Sequence, residues 1–238
     1  MKSAAYIAAH IRQVLKNGGS APHSEDVQRF FTEYVPNHGW RTADQRKLAR
    51  RFSRALLEEG GPERIVAIAD KLFTGRNSTE KTMAVLMLEN HVGKLGAKEF
   101  KLFESWLDRI TNWGDHDGLV HYLIAPMMMA DPTRAKCVFR WAKSKNFWLR
   151  RAAAVALIQG TRRHMFFDEI VRVSEMLLDD KADMVQKGLG WLLRETAKAD
   201  PKPAIVYLMT IRERAPRLVL RTACETLTPE QRKPILGR

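Results

Sequence analysis

Cysteine is almost absent from this sequence: Cys137 and Cys224 are the only two in 238 residues. That excludes a disulfide framework and a Cys-rich metal site. Both lie in apolar, helical-looking stretches, which predicts buried free thiols and suits a reducing cytoplasm. Aromatic residues are sparse, at 8%. No apolar run is long enough to span a bilayer; the longest, from Tyr122 to Ala130, is interrupted by Pro126. The N-terminal segment has His10 and Arg12 inside its short apolar run and does not read as a secretory signal. Acidic residues are too few to balance basic ones: 27 Asp+Glu against 40 Lys+Arg leave a net charge of +13. An excess of that sign points to nucleic acid, an anionic surface or an acidic protein as partner. With 45% apolar residues the chain has material for a sizeable core, and the disordered and low-complexity classes are excluded.

Sustained period-two alternation is also missing, so strands are not expected. Helical spacing of apolar residues recurs instead, as in RKLARRFSRALLEE, EKTMAVLMLENHV and LRRAAAVALI. Stop and start signals punctuate these runs at Gly18-Gly19, Gly60-Gly61-Pro62, Gly75, Gly96, Asp131-Pro132, Gly160, Asp200-Pro201 and Ala215-Pro216. About twelve helices with short connections result.

The helices carry a period. Arg46 begins RKLA, Lys81 begins KTMA, Arg151 begins RAAAV, Lys187 begins KGLG and Arg221 begins RTAC, at separations of 35, 70, 36 and 34 residues. The midpoint of the double interval is His116. A helix pair of about 35 residues is the unit of an α-solenoid, and the Trp-Leu-Gly-Tyr pattern of tetratricopeptide repeats is missing. The expected fold is therefore all-α: an α-solenoid of HEAT-like helical repeats forming one domain over residues 1–238, with a concave basic cleft. Residues 1–20 form either an extra helix or a mobile arm. Small residues after each basic one permit close helix packing. The basic residues would line one side of the stack, where a positive concave surface suits a duplex backbone.

The unit around His116 departs from this pattern. It reads Trp113-Gly114-Asp115-His116-Asp117, two carboxylates in an otherwise basic array. A carboxylate repels phosphate, so either Asp115 or Asp117 caps the following helix, or it stabilises a cation or orients a water. The two roles are compatible. Among six tryptophans, Trp113 and Trp148 each stand three residues before a register position, and Trp191 stands one turn after Lys187. They pack in the core or line a cleft by cation–π and stacking contact. His91, His116 and His121 lack metal-ligand spacing, and no phosphate loop or nucleophile motif occurs. Neither a metal nor a cofactor is expected.

At these residues the sequence resembles the AlkD/AlkC-type DNA alkylation-repair glycosylases, a HEAT-like repeat family, from about residue 24 to 226. Val35-Pro36-Asn37-His38-Gly39-Trp40-Arg41-Thr42 is similar to the family's loop into a Thr-Pro-Glu/Asp-x-Arg helix start. Trp113 to Asp117 resembles its Trp-Asp-x-Val-Asp motif, and Phe147 to Ala152 its Trp-Leu-x-Arg-Ala motif. Val185 to Glu195 resembles its Gln-Lys-Ala-x-Gly-Trp-x-Leu-Arg-Glu segment. The resemblance implies excision of positively charged N3- and N7-alkylated purines from double-stranded DNA. No lysine is placed by motif as a Schiff-base nucleophile, so a monofunctional glycosylase with water as nucleophile is expected, as a monomer in the cytoplasm. It implies a site of Trp113, Asp117, Arg151 and Trp191, with Arg151 as a phosphate clamp. Phe30 stands where the family carries Tyr, so a hydroxyl role there is lost. Asp117 keeps the Trp-to-Asp spacing, and Asp115 is the alternative carboxylate. DNA-binding residues would be Arg46, Lys81, Lys187 and Arg221 in register, Arg150 beside it, Arg194 and Trp148 in the resembling segments, and Phe30. The alternative function is a non-catalytic repeat protein that binds damaged, bent or branched DNA; a third is a solenoid whose charge faces an acidic protein.

Overall fold

The computed structural model describes residues 2–237, and among these the chain is helical with no strand. It divides into two compact units, residues 1–127 and 128–238, where the sequence reading expects one domain.

In the first unit α1 (Ala4–Asn17) buries Ala8, Ile11 and Leu15 against α3, which decides for a packed helix at the N-terminus over a mobile arm. A short α2 (Ala21–Gln28) follows. The long α3 (Thr42–Phe73) is broken at Gly60-Gly61, ahead of Pro62. Gly61 has φ +70°, a left-handed conformation that lets the chain re-aim before the proline restarts the helix. Then come α4 (Ser78–Leu88), α5 (Ala97–Trp106) and α6 (Trp113–Leu119). Beyond α6 the helical path continues through a π turn, Val120–Ile124, into α7 (Ala125–Ala130). Pro126 therefore lies within a continuous helical path. A proline inside an α-helix clashes with the carbonyl four residues back, and the wider turn lies just before it.

The second unit holds α8 (Val138–Trp141), α9 (Phe147–Val155), α10 (Ile158–Thr161), α11 (Phe167–Leu177), α12 (Asp183–Ala199), α13 (Pro201–Ile211), α14 (Arg217–Ala223) and α15 (Pro229–Leu236). Several begin at the punctuation read from sequence. Gly96 caps α5, Asp200 precedes Pro201 at the first position of α13, and Pro216 precedes α14.

The period is structural. Arg46, Lys81, His116, Arg151, Lys187 and Arg221 fall on α3, α4, α6, α9, α12 and α14. In the first unit α3 packs on α4 and α4 on α6; in the second α9 packs on α12 and α12 on α14. Small residues set the approach. A Cβ on Gly188 would lie 3.1 Å from Cγ of Arg151 on α9, and one on Gly190 would lie 2.8 Å from Cβ of Thr222 on α14. Gly190→Ala is expected to cost about 1–3 kcal/mol, because overpacking outweighs the gain in helix propensity. A lower midpoint in urea unfolding checks this; an unchanged or higher midpoint contradicts it.

Candidate functional site

The first unit assembles the centre of the candidate site from α4, α6 and the loop after α2. Asn112 caps α6, its Oδ1 accepting the Asp115 amide at 2.9 Å. Neither Asp115 nor Asp117 is the cap, so that expectation is corrected: the helix starts at Trp113, which places both carboxylates inside it.

The two carboxylates have different surroundings. Asp115 is 3% exposed. Its Oδ1 accepts from Ser78 Oγ at 2.6 Å, and its Oδ2 from Lys81 Nζ at 3.0 Å and Thr111 Oγ1 at 3.4 Å. Lys81 is itself fully buried and also donates to the Arg109 carbonyl at 2.6 Å. Lys81 is thus not the phosphate-facing residue expected. Its ammonium is enclosed where α4 meets α6 and is held by Asp115. A buried pair with every group hydrogen-bonded fixes geometry more than it adds stability. Asp117 keeps 22% of its side chain exposed, and its Oδ1 lies 2.7 Å from Nδ1 of the buried His116. That contact orients a carboxylate that solvent can reach.

Trp113 is 38% exposed. Four residues before Asp117, it lies on the same face of α6. Phe31 packs against it in a tilted arrangement, with ring centroids 5.0 Å apart. A Cβ on Gly114 would lie 3.3 Å from Cζ of Phe31, so the glycine leaves room for this ring. Phe31 belongs to a loop braced by Gln28, whose Nε2 donates to the Glu33 carbonyl at 2.8 Å and whose Oε1 accepts the Val35 amide at 2.9 Å. Phe30, on that loop, is 71% exposed.

In the second unit Arg151 is only 5% exposed. The expectation of a guanidinium open to phosphate is corrected there. The close approach of α12 at Gly188 covers its stem, and its Nη1 donates to the Met184 carbonyl at 2.7 Å. Trp148 is buried, with Phe147 at a centroid distance of 4.6 Å, which is the core role rather than a DNA-facing one. Trp191 is half-buried on α12.

The remaining expected DNA contacts are mostly engaged with carboxylates. Arg46 donates to Glu89 from Nε and Nη2, at 2.8 and 3.1 Å. Arg150 donates to Asp180 in the same forked manner and to the Ser144 and Lys145 carbonyls. Arg194 reaches Glu195 and Glu225. With Lys81–Asp115, four cations meet a carboxylate 30 to 43 residues further along the chain. One repeat supplies the cation and the next its partner. Lys187 pairs with Asp183 one turn back on the exposed face of α12, and Arg221 is exposed.

Burial acts to raise the Asp180 carboxyl, but hydrogen bonds from Arg150 and the Ala182 amide outweigh it and hold the group below its ordinary value. A depressed folded-state pKa contributes stability above the unfolded pKa, and that stability is lost as pH falls through the folded one. Asp180→Asn is therefore expected to destabilise by about 1–3 kcal/mol at neutral pH, with the gap to wild type narrowing below about pH 4. Urea melts at pH 7 and pH 3 check it; a gap independent of pH contradicts it.

Sequence reasoning missed Phe31, Ser78, Thr111 and the His116–Asp117 contact. The period carried a signal for one of them: Ser78 lies 37 residues before the carboxylate it serves, close to one repeat. Nothing local marks Phe31 as the partner of Trp113.

Solved structures share this fold. One, described as a predicted DNA alkylation repair enzyme from Enterococcus faecalis, superposes with a TM-score of 0.80 at 14% identity, covering 89% of this chain and 97% of its own. AlkD2 from Streptococcus mutans gives 0.65 at 18% identity, covering 94% and 99%. The smu.31 protein of Streptococcus mutans gives 0.58 at 20%, covering 79% and 99%. No curated protein matches the sequence. The family model described as DNA alkylation repair enzyme matches residues 11–227, and the chain belongs to that family.

Proposed function

We propose that this protein is a monofunctional DNA glycosylase that hydrolyses the N-glycosidic bond of positively charged N3- and N7-alkylated purines in duplex DNA. Family membership implies a DNA partner. What supports the finer reading is one observation: a half-exposed Trp113 stands one turn from Asp117, a partly exposed carboxylate in contact with a buried histidine.

The chemistry follows from the substrate's charge. An N-alkylated purine is already a cation, so it departs as a neutral base without protonation. The bond from C1′ to the purine nitrogen breaks with its electron pair going to the base. The sugar becomes electron-poor at C1′, and Asp117 stabilises that charge electrostatically. The same carboxylate orients a water, whose oxygen bonds to C1′ and whose proton passes to Asp117 or solvent. The exposed face of Trp113 holds the cationic nucleotide by cation–π contact. Within the second unit, the resemblance points to Arg151 and Trp191. Arg151, being buried, serves there by supporting α12, which carries Trp191. The protein works as a cytoplasmic monomer on this reading.

The test is chromatographic detection of free methylated purine after incubation with alkylated duplex. Release above the spontaneous rate supports the reading. Tight, salt-sensitive DNA binding without release overturns it in favour of a non-catalytic binder, to which the altered Trp113–Asp117 motif would then belong.

A further inference from the structure

Two register cations, Arg46 and Lys81, are paired with carboxylates of the next repeat and Arg151 is buried, so much of the chain's exposed positive charge resides elsewhere. Between Arg41 and Arg54 the sequence holds six cations and a single carboxylate, Asp44. Arg46 turns to Glu89. Lys47, Arg50, Arg51 and Arg54 follow at helical spacing on α3, and all four are exposed. Gln45, Ala49, Ser53 and Leu56 form the buried side of the same helix. Lys47 has a surface contact with Asp44 at 3.2 Å, whereas Arg50, Arg51 and Arg54 have no carboxylate partner among the described residues.

Like charges one turn apart disfavour a helix. Here Lys47–Arg51 and Arg50–Arg54 are both such pairs, so this face is electrostatically incomplete in the isolated protein. The four positions span roughly 10 Å of helix, a length that meets more than one phosphate of a strand. Three of the four are arginines, whose planar fork pairs with phosphate bidentately. An anionic bilayer fits less well. The apolar residues exposed on this segment, Ala43 and Ala55, are too small to insert.

We infer that the Lys47–Arg54 face of α3 is a second contact for nucleic acid: a sequence-independent clamp on the phosphate backbone of duplex DNA, separate from the lesion chemistry at Trp113 and Asp117. It deepens the proposed function by adding a surface that grips undamaged duplex. It rests on that reading only for the identity of the polyanion.

The test compares wild type, the triple variant Arg50→Gln/Arg51→Gln/Arg54→Gln and a charge-matched control, Lys94→Gln/Lys98→Gln/Lys101→Gln, on undamaged duplex over a range of salt. The expected result is an affinity loss of roughly tenfold or more and a salt slope shallower by about 2–3 for the arginine triple. The control should change little. Thermal melting of the triple should be unchanged or slightly raised, since repulsion is relieved. Base release at saturating alkylated DNA should stay within about twofold of wild type, as these residues lie outside the chemistry. Equal losses in triple and control would overturn the clamp, leaving only a global charge effect. Unchanged binding by the triple, or no DNA binding by wild type, would also overturn it. If wild type releases no base but the triple still loses binding, the clamp stands and the glycosylase reading falls.

Discussion

Lys81→Met is expected to lower the stability of the protein by about 3–5 kcal/mol, because it leaves the Asp115 carboxylate buried without its counter-charge. Ser78 and Thr111 remain to hydrogen-bond it, but neither supplies charge. For a chain of this length the loss corresponds to a fall in Tm of roughly 10 °C. The damage reaches beyond stability. Lys81 also holds the Arg109 carbonyl, just ahead of the loop that leads into α6, and α6 carries Trp113 and Asp117. The paired replacement Lys81→Met/Asp115→Leu removes both charges at similar volume. It is expected to recover most of the lost stability, since a buried ion pair is often matched by apolar packing. Differential scanning calorimetry of the single and double variants checks this. A single variant as stable as wild type would show that the pair does not hold α4 to α6.

The second large effect concerns rate. Asp117→Asn keeps the size of the side chain and removes its negative charge. On the proposed chemistry this lowers base release by about 10²–10³-fold, the range for loss of one preorganised electrostatic group. DNA binding should be unchanged or slightly tighter, as one charge that repels phosphate is gone. Asp115→Asn should behave in the opposite way. It leaves the Lys81 ammonium buried and underpaired, so Tm falls, while release per folded molecule falls less. If Asp115→Asn abolishes release at unchanged Tm and Asp117→Asn does not, the chemistry belongs to Asp115.

The contrast between these residues shows what the sequence could carry. Helical periodicity and the 35-residue register marked α3, α4, α6, α9, α12 and α14 as equivalent, and those helices do pack as neighbours within each unit. Punctuation at Gly96, Pro201 and Pro216 marked where helices begin. A period identifies equivalent positions but not the direction each side chain faces. Lys81 and Arg151 sit in register and are buried, while Arg46, Arg150 and Arg194 are answered by Glu89, Asp180, Glu195 and Glu225. Reading the register for cations alone overlooked the carboxylates about one repeat further on. In the central motif, the Trp-to-Asp spacing favoured Asp117 and kept Asp115 as the alternative, but spacing says nothing of either residue's surroundings. Burial separates them, and burial depends on α4, a repeat away. The packing of Phe31 on Trp113 joins segments more than two repeats apart and has no local signature.

The measurement that bears most directly on the account is release of free N7-methylguanine and N3-methyladenine from methylated duplex DNA, with wild type and Asp117→Asn assayed side by side at equal bound fraction. Release by the wild type is expected, with a loss of at least about a hundredfold in the variant. Equal release by both proteins, or release by neither while both bind the duplex, would contradict it.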